Sequence, residues 1–225
     1  MRKLRNLFRE YPFTLAVEYL LRRGLSVIGV GYHHYLLTAQ PVPDTPWLNR
    51  KRASSYRIDK IMEDDYNSDW FPRPAHIIKS RYRQGAECWV AFKGDRAVGC
   101  QWLIKGPYIE DEVRCIFKPG PEENTVWDFD IYIVPEFRFS RLFLQLWDTS
   151  NAWMRSQGIS WSASRVDALN LDSVKSHSSM GAYIVDHAWF VSIGAMQIAK
   201  WRGRFHLSFG TGSIPIIDVK TGKLY

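Results

Sequence analysis

WDFDIYIVPEFRFSRLFLQLW, residues Trp127 to Trp147, is the stretch that decides the fold. It opens as an alternating strand. Successive strand side chains point to opposite faces, so Asp128, Asp130 and Tyr132 are expected on one face and Trp127, Phe129 and Ile131 on the other. Pro135-Glu136-Phe137-Arg138 then turns the chain into an amphipathic helix that runs to Gly158. A second strand follows in ISWSASRVDALN, ending at Asn170, and a short helix in LDSVKSHSSMGA is closed by Gly181. A strand that hands directly to a helix sets the helix's free N–H groups beside the strand's end, where an anion is well held. The second strand, ending near the same edge, brings its own side chains to that place.

The order and spacing resemble the GNAT (acyl-CoA N-acyltransferase) superfamily. Its turn usually reads P-E-[aromatic]-R-x-x-G-x-G/A, and Pro135, Glu136, Phe137 and Arg138 match the first half. Its later segment reads N-x-x-[A/S]-x-x-x-Y-x-x-x-G-F, onto which Asn170, Ser173, His177, Gly181 and Ala182 fall without a gap. Arg141 and Phe143 replace the two loop glycines, and His177 replaces the tyrosine. The resemblance covers about half the chain. It implies an α/β fold of GNAT type: a mixed, mostly antiparallel central sheet with splayed central strands and flanking helices.

Outside this stretch the composition is that of a globular protein: 225 residues, 46% apolar and 24% charged. Aromatic residues reach 15%, with ten Trp. The net charge of +7 favours anionic partners, with clusters at Arg2, Lys3, Arg5, Arg9, Arg22, Arg23 and at Arg50-Lys51-Arg52. No zinc-finger spacing or RNA-binding signature accompanies that charge, which argues against nucleic acid. Cys88, Cys100 and Cys115 lack metal-ligand spacing and sit in strand-like runs, as buried free thiols do; a reducing, cytoplasmic setting is expected. Glu10, Pro12 and Glu18 interrupt any signal-peptide core, and no apolar run is long enough to span a bilayer. No metal site is expected.

Residues 3–22 read as one or two basic amphipathic helices broken at Pro12 and ended by Gly24, either packed on the domain or lying on an anionic membrane surface. Leu25 to Leu37 reads as strand. Pro41, Pro43 and Pro46 form a stiff connector, so residues 1–46 are expected to be an N-terminal segment with linker and residues 47–225 the catalytic-type domain. Ser54 to Tyr66 reads as an acidic helix and Ala75 to Arg83 as another, stopped by Gly85. Glu87–Phe92 and Arg96–Ile104 form a hairpin, Glu112–Phe117 a third strand, and Ala182–Phe190 with Ala195–Trp201 a closing pair.

The resemblance implies that coenzyme A pyrophosphate sits on the loop after Val134, with Arg138, Ser140 and Arg141 supplying the charge and hydroxyl contacts the missing glycines leave open. The phenylalanines of that loop equally suit a carrier protein's phosphopantetheine. Asn170 and Ser173 are placed to bond the pantetheine arm, Asn170 also capping its helix. Acyl transfer to an amine needs a base for the ammonium proton. Two carboxylates on one strand face raise at least one pKa, which makes Asp128, then Asp130, the base candidates. His177, in the tyrosine's register, is the candidate acid for the leaving thiolate.

These residues point to an N-acyltransferase moving an acyl group from acyl-CoA, or an acyl-carrier protein, to an amine. A long-chain lipid amine accounts for the basic amphipathic start and the aromatic excess, with the protein peripheral on the inner membrane face. The alternatives are N-acetyl transfer to an amino sugar, and a non-catalytic module that binds an acyl carrier or membrane.

Overall fold

A computed structural model describes residues 8–48, 56–138, 140–210 and 212–222. Arg2, Lys3, Arg5, the basic cluster Arg50-Lys51-Arg52 and Phe139 lie outside them. In chain order the elements are helix α1 (Phe13–Val27), β1 (Val30–Pro41), β2 (Arg57–Ile61), helix α2 (Ala75–Arg83), β3 (Glu87–Lys93), β4 (Arg96–Lys105), β5 (Tyr108–Ile109), β6 (Ile116–Gly120), β7 (Thr125–Ile133), helix α3 (Leu142–Ser156), β8 (Trp161–Asp167), helix α4 (Leu171–Ser179), β9 (Tyr183–Ile193), β10 (Met196–Trp201), β11 (Arg204–Phe209) and β12 (Ile216–Lys220).

Among the described residues, nine strands form one sheet in the order β11-β10-β9-β1-β8-β7-β4-β3-β2. Every neighbouring pair is antiparallel except β7–β8. A small sheet, β12-β6-β5, joins β12 to β6 in parallel. Two cores sandwich the large sheet. On one face Trp102, Trp127, Phe129 and Phe190 pack with Phe117 and Val219 of the small sheet and Ile78 of α2. On the other, Leu103 and Val126 meet Leu142, Leu146, Trp147 and Met154, the inward stripe of α3. Each such side chain contributes about 1.5–3 kcal/mol by leaving water. The expected mixed, mostly antiparallel α/β architecture with flanking helices is what the chain adopts.

The feature that positions the site is short. β7 and β8 pair only over Thr125–Asp128 against Trp161–Ser164. Beyond that rung β7 continues to Ile133 and β8 to Asp167 without pairing to each other, so the two parallel strands part. Gly99 on β4 keeps the far end of β7 close: a Cβ there would meet the Tyr132 carbonyl oxygen at 2.9 Å.

Several expectations give way. Residues 57–61, inside the stretch read as an acidic helix, form edge strand β2, because pairing with β3 buries Ile61 and gives Ile58 contact with the α3-side core. Helix α1 runs through Gly24 and stops before Gly29, whose φ of +73° suits a helix end and few residues but glycine. The strand expected at Glu112–Phe117 begins at Ile116, since Glu110 and Glu112 are engaged with arginines. The division at residue 46 does not describe the sheet: β1, on its N-terminal side, lies between β8 and β9 and pairs with both. The proline connector is itself packed, Trp47 and Leu48 donating their N–H groups to Asp148 of α3 at 2.8 and 2.9 Å.

Candidate donor site

Where β7 and β8 part, a pocket of about 510 Å³ opens between the end of β7, the start of α3 and one side of α4. Ile131 and Ile133 form one wall, Phe143 another, and Asn170 and Ser173 a third. Arg138 and Lys175 bring positive charge to its rim against Asp172 alone. Arg138 is steadied by donating from Nε to the Ile133 carbonyl at 3.2 Å. Asn170 caps α4, its Oδ1 accepting the Ser173 N–H at 3.2 Å. Backbone groups of β7 that face the gap have no strand partner there, and such groups seek one.

Three residues assigned to the donor loop take other places. Val134 gives its N–H to the Val98 carbonyl and does not line the pocket. Ser140 is occupied with the helix start: Oγ donates to the Phe137 carbonyl at 2.6 Å and accepts from the Leu142 N–H at 3.2 Å and the Tyr56 hydroxyl at 3.2 Å. Arg141 is the exposed N-cap residue of α3, outside the pocket lining. Lys175, Ile131, Ile133 and Tyr132 were not read as site residues. Lys175 lies two positions from Ser173 on the same short helix, a spacing visible in the sequence; the isoleucines carry no such signal.

The two aspartates do not share a face. Trp102 pairs with Asp130 and Leu103 with Asp128, so Phe129 has no residue opposite it and β7 bulges there. The bulge puts Asp130 on the side of Trp127 and Phe129, while Asp128 stays with Val126 on the α3 side. Asp130 is tied by ion pairs to Arg81 Nη1 at 2.7 Å and Arg73 Nε at 3.4 Å. Arg81 also holds Asp111 at 2.6 Å, and its guanidinium lies over the rings of Trp102 and Phe129. Around them, Arg165 grips Glu110 through two 2.7 Å bonds and Glu112 at 3.1 Å. Despite burial, Arg165 and Arg73, with a bond from the Tyr35 hydroxyl, hold the Glu112 carboxyl down to about 2.

Asp128 is 3% exposed and sits on the last paired rung, opposite Ser164. Burial pushes its carboxyl up to about 7, against a smaller downward pull from the Gln101 amide and with a smaller push from Asp130. Its Oδ1 and both amide atoms of Gln101 have no hydrogen-bond partner among the described residues. Asn151, Ser162, Gln40 and the Trp147 indole N–H are buried without partners too. Buried groups of this kind are usually matched by ordered water.

His177 does not face Asp128 across the gap. It turns to the other side of α4, edge-on to Trp147 with ring centroids 5.8 Å apart, and lines a different pocket with Thr38 and Val166. Burial pushes its imidazole down to about 4, which favours the neutral ring, and its place on the far side of α4 sets it apart from the gap. Among the described residues no cluster of three or more His, Cys, Asp or Glu side chains could hold a metal, and no helix is long and apolar enough to cross a membrane. All three cysteines are buried and free.

No protein-family model matches the chain, and no curated protein matches its sequence. Solved structures do resemble it. A functionally unknown conserved protein from Staphylococcus epidermidis superposes with a TM-score of 0.50 at 15% identity, over 77% of this chain and 66% of that one. This chain therefore spans just under two thirds of that protein's length. A tandem GNAT protein from the clavulanic acid biosynthesis pathway aligns over 75% of this chain and 56% of its own, with a TM-score of 0.47 and 12% identity. A GNAT family acetyltransferase from Elizabethkingia anophelis, solved with acetyl-CoA bound, covers 56% of this chain and 74% of its own, with a TM-score of 0.42 and 11% identity. At these identities the likeness is one of fold.

Proposed function

We propose that this protein transfers an acyl group from a coenzyme A thioester to an amine. The observation that carries the reading is the parting of β7 and β8 beyond the Asp128–Ser164 rung, opening onto a pocket with a positive rim. An extended arm bearing amides can pair with the free backbone edge of β7 as an added strand does. Arg138, Lys175 and the first N–H groups of α3 then lie where the phosphates belong. Phe143 in place of a glycine narrows that end and shifts the work of holding phosphate from backbone to side chains.

The acceptor amine would arrive from the opposite face, past Asp130 and Glu112. Its nitrogen attacks the thioester carbonyl carbon, the C–S bond breaks, and the thiolate leaves. Asp128, its carboxyl raised to about 7 on the rung where the gap begins, is the residue we assign to take the ammonium proton. The ring of Tyr132 packs on the Trp127 and Phe129 side of β7, away from the donor pocket, so we assign no side chain to the thiolate, which takes its proton from water. Among acceptor classes we favour a lipid amine over an amino sugar, because α1 exposes Phe13, Val17 and Leu21 beside Arg22 and Arg23.

Isothermal titration with coenzyme A tests the donor site. Arg138→Ala and Lys175→Ala should each weaken binding by about 1–3 kcal/mol, as lost charge-assisted bonds do, and the loss should shrink in high salt. Unchanged affinity in both variants removes this pocket from the donor role. A second reading, a module that binds donor without turnover, has one observation in its favour: among the described residues no acid faces Asp128 across the gap. Binding without any thiol release over a panel of amines would favour it.

A further inference from the structure

On the far side of α4 from the donor pocket lies a second pocket of about 330 Å³, bounded by β1, β8, β9 and α4. Its walls include Leu36, Val166, Val174 and Ile184, one from each of four elements. Among the described residues no acidic, lysine or arginine side chain lines it, so it offers a charged ligand no counter-ion. Ile184 is 49% exposed, so the pocket opens to the surface and is not a sealed packing defect. Volumes of this size lie at the lower end of those that hold small ligands.

Its position ties it to the gap. Thr38 Oγ1 at the pocket meets Ser164 Oγ at 2.8 Å, and Ser164 is the β8 residue of the last rung shared with β7. Thr38 is thus two strand spacings from β7, on the order of 10 Å. Helix α4 divides the two pockets. Asp172, Ser173 and Ser176 face the donor side, while Val174, His177 and Ser178 face this one, as helical spacing dictates. Val166, two residues beyond Ser164 on β8, lines this pocket, so the end of the last rung and the pocket adjoin on one strand. His177, 5% exposed and without a hydrogen bond from its ring among the described residues, joins Thr38, Ser178 and Tyr183 as the polar groups of a wall that is otherwise apolar.

We propose that this pocket receives the hydrocarbon chain of the donor's acyl group, which makes the donor a medium- or long-chain acyl-CoA and not acetyl-CoA. This rests on the donor reading above. The test is titration of the full chain with coenzyme A, acetyl-CoA and octanoyl-CoA. Octanoyl-CoA should bind at least about tenfold more tightly than acetyl-CoA, since several methylenes leave water. Val174→Trp should fill the pocket and erase that preference while leaving affinity for coenzyme A unchanged. Ile184→Trp, on a half-exposed strand position, should do the same and serves where the first variant misfolds. Equal affinity for the two thioesters in the unaltered protein, or a preference that survives both substitutions, overturns the assignment while the donor site stands. Failure of all three compounds to bind overturns the donor reading and this one together.

Discussion

Asp128 and His177 are buried titratable groups whose pKa values move in opposite directions, and stability should record both. The Asp128 carboxyl is raised from 3.8 to about 7, so the folded chain binds the proton more tightly than the unfolded one. Its contribution is full below pH 4 and is lost as pH rises through 7. Asp128→Asn should therefore gain stability relative to the parent between pH 5 and 8, by an amount on the order of a few kcal/mol at the upper end. Denaturant unfolding across that range checks it; a difference that does not change with pH would place the Asp128 carboxyl in water. His177 is lowered from 6.5 to about 4, so its contribution is present above pH 6.5 and is lost as pH falls through 4. His177→Phe should flatten the acid limb of the stability profile, and an unchanged limb would return the histidine to solvent. At this scale the sequence singled out both residues by register and spacing. It could not say that burial leaves the histidine neutral, because burial depends on Trp147 lying edge-on to it from another helix.

The bulge at Phe129 is a property of an element, and it was hidden from the sequence. Trp-Asp-Phe-Asp-Ile-Tyr-Ile alternates so regularly that an unbulged strand fits it perfectly, and only the pairing with β4 reveals the extra residue. The device that holds it sits 49 residues away in α2. Arg81, 2% exposed, bridges Asp130 on the strand and Asp111 on the loop after β5. Removing one side of a buried pair leaves charge without a partner, so Arg81→Met should cost about 3–5 kcal/mol. Asp130→Asn should cost less, because Asp111 still engages the guanidinium. Urea unfolding of the two variants would show the order, and equal costs would deny Arg81 its bridging role. Helix α1 presents another element-scale question. It docks through Arg22 to Asp167 at 2.5 Å and through Glu18 to His34 at 2.8 Å, yet exposes Phe13 and Leu21. If that face meets lipid, the protein should sediment with anionic vesicles and come off in high salt, and Phe13→Ser with Leu21→Ser should abolish sedimentation. No sedimentation with anionic vesicles, or sedimentation unchanged by the two substitutions, would assign the face to ordinary surface.

For the whole molecule, the hairpin β3–β4, helix α2, and the strand–helix–strand–helix order from β7 to α4 were all legible, because each rests on local pattern. The place of β1 was not. Its sequence, VGYHHYLLTAQP, has the strand character expected of it, but nothing local says that it inserts between β8 and β9, some 120 residues downstream. A chain beginning at Val42 should consequently fail to fold, losing Tyr35, Leu37 and Ala39 from the middle of a core. A chain beginning at Gly29 keeps β1 and should retain cooperative unfolding. Circular dichroism melts of both would decide, and a stable fold without β1 would make that strand dispensable.

That placement has a consequence during synthesis. The strand made first among the nine is among the last to find its neighbours, for β8 and β9 emerge long after it. At about 5–20 residues per second, roughly ten seconds separate the appearance of Pro41 from that of Trp161. Through that interval a twelve-residue strand has both edges open on the ribosome, a template for any passing strand. In the living cell the hazard to this protein is thus set by translation speed and by whatever shelters a nascent chain, before any folded molecule exists.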